Sequence, residues 1–156
     1  QMCIRDRLVA AVTGPVVLLL TPHIRVDAGA DEDLTPARPN PPAEATIPID
    51  PDDGPVMVTV EYLIDPARAS DFAQVMQATR QARLRQGALS WGLFKDTTVP
   101  GRYVEYFVDE TWVEHLRRLE RFTESDVDLR RQRLAFHLGT PEPVVRRYVA
   151  ESLVET

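Results

Sequence analysis

The stretch VMVTVEYLIDPARASDFAQVMQATRQARLRQG, residues 56–87, decides the fold. Its first eight residues, Val56 to Leu63, alternate along the chain and are rich in β-branched side chains, which reads as a strand. Asp65 and Pro66 then supply an N-cap and a proline at the first helical position. Phe72, Val75, Met76 and Thr79 recur at helical spacing on the way to Arg85, and Gly87 stands where a helix C′ residue favours glycine. A strand therefore runs straight into a helix.

Downstream, Ala88 to Lys95 (ALSWGLFK) reads as a second strand and Arg102 to Val108 (RYVEYFV) as a third, with Asp96 to Gly101 as the turn between them. Thr111 and Glu114 form a capping-box pattern that opens a helix with Trp112, Leu116 and Leu119 on one face. Thr123 and Asp126 open another, carrying Val127 and Leu134. Pro141 and Pro143 end the helical region, and Val144 to Ala150 alternates as a last strand. The order βαββααβ is the split βαβ arrangement of a ferredoxin-like α+β fold, an antiparallel sheet with helices on one face. The other face needs a cover, and a homodimer through that sheet face is expected.

The rest of the chain reads differently. Residues 8–20 (LVAAVTGPVVLLL) carry no charge, but thirteen residues of helix reach only about 20 Å, short of a bilayer core of about 30 Å. Three readings compete: a buried core helix, a signal peptide cleaved near Ala28-Gly29-Ala30, and the end of a transmembrane helix over residues 8–24. Gly14 and Pro15 and the following Arg25 favour the third. Residues 25–54 form an acidic, proline-rich linker: between 28 and 55 lie seven of the thirteen prolines, seven acids and one Arg. So little apolar surface cannot offset the entropy of ordering, and an extended tether is expected. Residues 1–7, with MCIRDR at 2–7, read as a translated sequencing adapter and are set aside. The soluble domain is then 55–152.

The net charge of −6 over 156 residues sits in the linker, which leaves no clustered basic face for nucleic acid. Cys3 is the only cysteine and has no metal-site spacing around it. No phosphate loop, nucleophile elbow or paired catalytic carboxylates are present, so the sequence names no catalytic residue, cofactor or metal.

The segments GPVMVTVEYLIDPARASDF (54–72) and GALSWGLFKDTTVPGRYVEYFVDETWVEHLRRLERFT (87–123) resemble the cytosolic tail domain of certain bacterial major facilitator superfamily exporters, a branch that includes enterobactin-exporter-like permeases. That tail is itself similar to the dimeric α+β barrel of antibiotic-biosynthesis monooxygenases. The resemblance implies a multi-pass cell-membrane parent, its carboxy terminus inside the cell, that exports small lipophilic molecules through a transport core outside this chain. It implies no transport residue here.

In monooxygenase relatives a His near the second crossover helix and a Trp or Asn on the sheet line the cavity, which makes His115 and Trp91 the candidates; His137, Trp112 and Tyr103 are the other available groups. The plain reading of His115 is a partly buried or surface histidine without chemistry. Relatives of the tail carry His where this chain has Leu119, a departure that weakens haem or oxygen chemistry. Phe72, Met76, Trp91, Phe94, Trp112 and Leu116 are expected in the core or at an interface. Arg117, Arg118, Arg121, Arg130, Arg131 and Arg133, mixed with acids, read as a solvated face. A non-catalytic self-association or regulatory tail is thus expected. The rivals are a stand-alone cofactor-independent monooxygenase and a pure dimerisation module.

Overall fold

The computed structural model describes residues 32–37, 45–139 and 142–151. The chain divides after Glu32, and the fold described here belongs to the unit that starts at Asp33. The adapter reading of 1–7 and the apolar run at 8–24 lie outside the described residues.

Four strands, β1 (Val56–Leu63), β2 (Ser90–Lys95), β3 (Arg102–Asp109) and β4 (Val144–Val149), form one antiparallel sheet in the order β2-β3-β1-β4. Three helices, α1 (Ala69–Arg85), α2 (Trp112–Glu120) and α3 (Glu124–Leu134), fill the two crossovers. This is the ferredoxin-like α+β fold that the strand and helix order predicts. Among the described residues no helix is long and apolar enough to cross a membrane.

Local chemistry sets the boundaries. The Asp65 carboxylate accepts from Ala67 N, but Pro66–Arg68 forms a 3-10 turn before the α-helical pattern begins. Thr111 caps α2, and Thr123 with Asp126 completes a full capping box on α3. Ala88 is spent on closing α1, its N–H donating to Arg83 O, so β2 begins at Ser90 rather than at Ala88. Gly101 has φ +81°, and a Cβ there would lie 2.2 Å from Ile64 O, so only glycine lets the β2–β3 loop close onto the end of β1.

The register brings Val56, Val58, Val60 and Tyr62 of β1 onto the same face as Glu105, Phe107 and Asp109 of β3. That face is buried under the helices. One core cluster joins Val60, Tyr62, Ile64, Phe72, Met76 and Phe136, and a second joins Val56, Val58, Ala88, Phe107 and Trp112. The opposite face is open: Phe94 is 62% exposed and stacks on Tyr106 at 5.6 Å, and Met57 and Tyr148 lie exposed elsewhere on the same face. Phe94 is therefore not a core residue of this chain. Tyr106 can lie flat there because it passes over Gly92, where a Cβ would come within 2.3 Å of its ring.

The linker departs from the expected free tether in two places. Residues 33–37 run antiparallel to the α2–α3 junction, with Ala37 N donating to Phe122 O, Glu124 N to Thr35 O and Ser125 N to Asp33 O. Asp53 O and Pro51 O accept from Trp112 N and Val113 N, two of the amides that the first turn of α2 leaves without a helical acceptor. Unspent amides at helix starts recruit the backbone of an otherwise polar segment.

Candidate functional site

β3 alternates Tyr103, Glu105, Phe107 and Asp109 toward the helices, so it delivers two carboxylates into the apolar interior. Each would be costly unless paired, and each is. Glu105, fully buried, accepts at Oε1 from Arg83 Nε (3.1 Å) and Trp91 Nε1 (3.1 Å), and at Oε2 from the Tyr62 hydroxyl (3.0 Å). The charge of Arg133 on α3 also acts on this carboxylate. Burial pushes the Glu105 carboxyl up, but the Arg83 and Arg133 charges with the Trp91 and Arg83 hydrogen bonds outweigh it, and the net shift is downward. Burial, reinforced by the Glu105 charge, raises the Tyr62 hydroxyl well above its ordinary value.

Asp109 anchors the second cluster. Arg118 Nε donates to Oδ1 (2.9 Å) and Nη2 to Oδ2 (2.8 Å), a bidentate pair. His115 Nδ1 lies 2.7 Å from Oδ2, and Arg147 Nε lies 3.1 Å from His115 Nε2. An arginine nitrogen can only donate, so Nε2 is the acceptor, and we assign the tautomer that carries the proton on Nδ1 and gives it to Asp109. The 3.2 Å approach of Arg118 Nη2 to Nδ1 is then a contact between donors. Burial raises Asp109, but the His115 and Arg118 hydrogen bonds more than reverse this and hold it below the usual carboxylate range.

Between this half of the sheet and α2–α3 lies a cavity of about 180 Å³. Val58, Val60 and Phe107 line it on the sheet side, and Arg118, Arg133 and Arg147 are among its charged walls. His115 borders it, yet both ring nitrogens are engaged.

The sequence candidates are thereby separated. His115 is 1% exposed, with its ring 5.4 Å from Trp112, rather than at the edge of the core. Trp91 faces inward as a Glu105 donor and does not border the cavity, while Phe94 points the other way. Phe72 and Met76 are fully buried, and Leu116 is half-buried against the second core cluster. His137 accepts from Leu63 N, and Tyr103 packs on Phe72. Among the described residues no group of three or more His, Cys, Asp or Glu could hold a metal ion.

The reading of the helix arginines as one solvated face is corrected. Arg117, Arg121 and Arg131 are exposed and paired with Glu114 or Asp128, whereas Arg118 and Arg133 are buried. Sequence reasoning missed Glu105, Asp109, Arg83 and Arg118. The signal was present in RYVEYFVD, where the period of two that sends Phe107 inward sends Glu105 and Asp109 with it.

Comparison with known proteins bears on this arrangement. A Caulobacter crescentus protein assigned as an antibiotic biosynthesis monooxygenase superposes with a TM-score of 0.53 at 18% identity, over 65% of this chain and 93% of that one. A Bordetella bronchiseptica protein assigned likewise gives 0.53 at 20% identity, over 64% and 99%. A third, from Deinococcus radiodurans, gives 0.52 at 13%, over 65% and 97%. At such identities the likeness establishes the fold alone. No curated protein matches the chain in sequence. The family of transmembrane secretion effectors matches residues 2–154, across the apolar run, the acidic linker and the α+β domain together, and the chain belongs to that family.

Proposed function

We propose that this chain is the carboxy-terminal part of a major facilitator efflux transporter of the enterobactin-exporter-like branch. In this reading residues 8–24 end its last transmembrane helix and 25–54 link it to the domain. Residues 55–152 form a non-catalytic self-association or regulatory domain on the cytoplasmic side, and the parent protein exports a small lipophilic molecule. The observation that carries the reading is the continuous family match over residues 2–154, which treats the apolar run, the linker and the domain as one inherited unit.

Two features of the domain support its parts. Both nitrogens of His115 are engaged, by Asp109 and Arg147, so His115 offers no free nitrogen as a base at the cavity wall. Phe94, Met57 and Tyr148 give the open sheet face an apolar surface suited to a second copy.

The test is to sequence the source locus upstream of the Leu8 codon. A continuous frame with about a dozen apolar segments, each near 20 residues, is expected of the transporter; a nearby start codon would overturn it. Sedimentation of the chain should show a dimer that Phe94→Glu dissociates.

The alternative, a stand-alone cofactor-independent monooxygenase, draws on the cavity beside His115. Oxygen consumption with an anthrone substrate, abolished by His115→Ala, would establish that alternative against the non-catalytic reading.

A further inference from the structure

We infer that the cavity under β1 and β4 is a binding site for a small organic carboxylate with a compact apolar body. The inference is independent of the transporter reading, since it stands on the cavity alone.

Charge comes first. Among the described residues the cavity is lined by five arginines, Arg83, Arg118, Arg130, Arg133 and Arg147, and by one acidic residue, Glu142. Glu105 and Asp109 lie behind the wall, already committed to Arg83 and Arg118. Arg83, Arg118 and Arg130 are paired with Glu105, Asp109 and Glu142 respectively. Arg133 and Arg147 have no carboxylate within ion-pair distance among the described residues. Such a surplus of partly dehydrated cations favours an anion, because attraction grows as water is excluded.

Donors are also left unspent. Arg118 is 1% exposed and its Nη1, without a hydrogen-bond partner among the described residues, is enclosed in the wall, so Arg118 contributes its charge to the cavity rather than that donor. Arg147 uses Nε on His115 and makes no other hydrogen bond among the described residues, so its terminal nitrogens remain for a carboxylate. A planar guanidinium with two free N–H groups matches a carboxylate bidentately.

Size and lining decide the rest of the ligand. A cavity of about 180 Å³ is slightly larger than the cavity of about 150 Å³ that accepts benzene in another protein, which leaves room for one ring plus a carboxylate. Phe107, Phe122, Leu119 and Val58 give that ring an apolar bed that a bare inorganic anion would not use. Benzoate has this shape and charge.

Calorimetric titration and thermal melts of the full chain test the inference with three probes: sodium benzoate, benzyl alcohol and sodium sulfate. Benzoate should release binding heat and raise the melting temperature at millimolar concentration, while benzyl alcohol, which lacks the charge, and sulfate, which lacks the ring, should do neither. Arg147→Gln, at the exposed end of the cavity, should weaken benzoate about tenfold or more, the loss of one charge-assisted pair. Arg130→Gln provides the same test if the first variant melts early without ligand. Absence of any benzoate effect, equal binding of benzyl alcohol, an equal effect of sulfate, or unchanged benzoate affinity in a well-folded variant would each overturn the inference.

Discussion

Asp109 Oδ2 lies 2.7 Å from His115 Nδ1, so the last residue of β3 and the middle of α2 are held together by a hydrogen bond that spans only six residues of chain. The same carboxylate neutralises the buried Arg118. Asp109→Asn would strand that guanidinium without a counter-ion, and a loss of about 3–5 kcal/mol is expected in denaturant melts. His115→Ala, which removes a neutral partner, should cost about 1–3 kcal/mol. Equal, negligible losses for both would show that the cluster does not hold α2 to the sheet.

Acid should destabilise the domain through carboxylates held below their ordinary pKa, Glu105, Asp109 and Asp96 among them. Glu105 and Asp109 are buried, which alone would raise them, but their arginine and hydrogen-bond partners hold both below ordinary values. Asp96 is lowered to about 2 by the Thr98 hydroxyl and by the Thr98 and Val99 amides, without burial. A carboxyl whose folded pKa is depressed contributes stability above its unfolded pKa, about 4, and loses it as pH falls toward the folded value. The melting temperature should therefore drop as pH is lowered below about 4. Asp96→Asn should remove the part of that drop between 3.8 and about 2. A melting temperature that rises on acidification would contradict this.

Phe72 meets Tyr62, Tyr103 and Phe136 at ring distances of 5.4, 5.4 and 5.7 Å and has no exposed surface. Phe72→Ala should cost about 3–5 kcal/mol through lost burial and the cavity left behind. Leu116 reads from the sequence as an equal core residue, yet it is only half-buried, so Leu116→Ala should cost clearly less. Chemical denaturation of both variants separates the two sites, and a reversed order would refute the assignment of these faces.

Gly101→Ala combines left-handed backbone with a Cβ placed 2.2 Å from a main-chain oxygen that cannot rotate away. A loss above about 1 kcal/mol is expected, with the early melting traceable to the β2–β3 loop in hydrogen exchange. Gly87→Ala is the control: its φ is also positive, but nothing lies within 4 Å, so it should cost less.

The fold was readable because its determinants are local. The alternation of 56–63, the Asp65-Pro66 start of the first helix, and the Thr111 and Thr123 caps each act within a few residues, and each element they mark is present. The site was not readable in the same way. Whether Arg118 is solvated or buried depends on Asp109 arriving from another element, and Arg133 depends on Tyr62 and Glu105, more than 25 residues away in sequence. Helical periodicity alone put Leu116 and Leu119 inward on α2. Trp112 does face inward with them in that reading, but Asp109 on β3 draws His115 and Arg118 in more deeply than either leucine, because leaving Asp109 unpaired would cost more.

The Glu105 cluster also constrains how this sequence can diverge. Its carboxylate is shared by a tyrosine from β1, a tryptophan from β2 and an arginine from α1, so losing Glu105 orphans all three donors at once, whereas exchanging the set for apolar side chains of similar volume need cost little. Glu105 should therefore change only together with its three donors. Tyr62, Arg83, Trp91 and Glu105 are in effect one heritable character written at four separate positions.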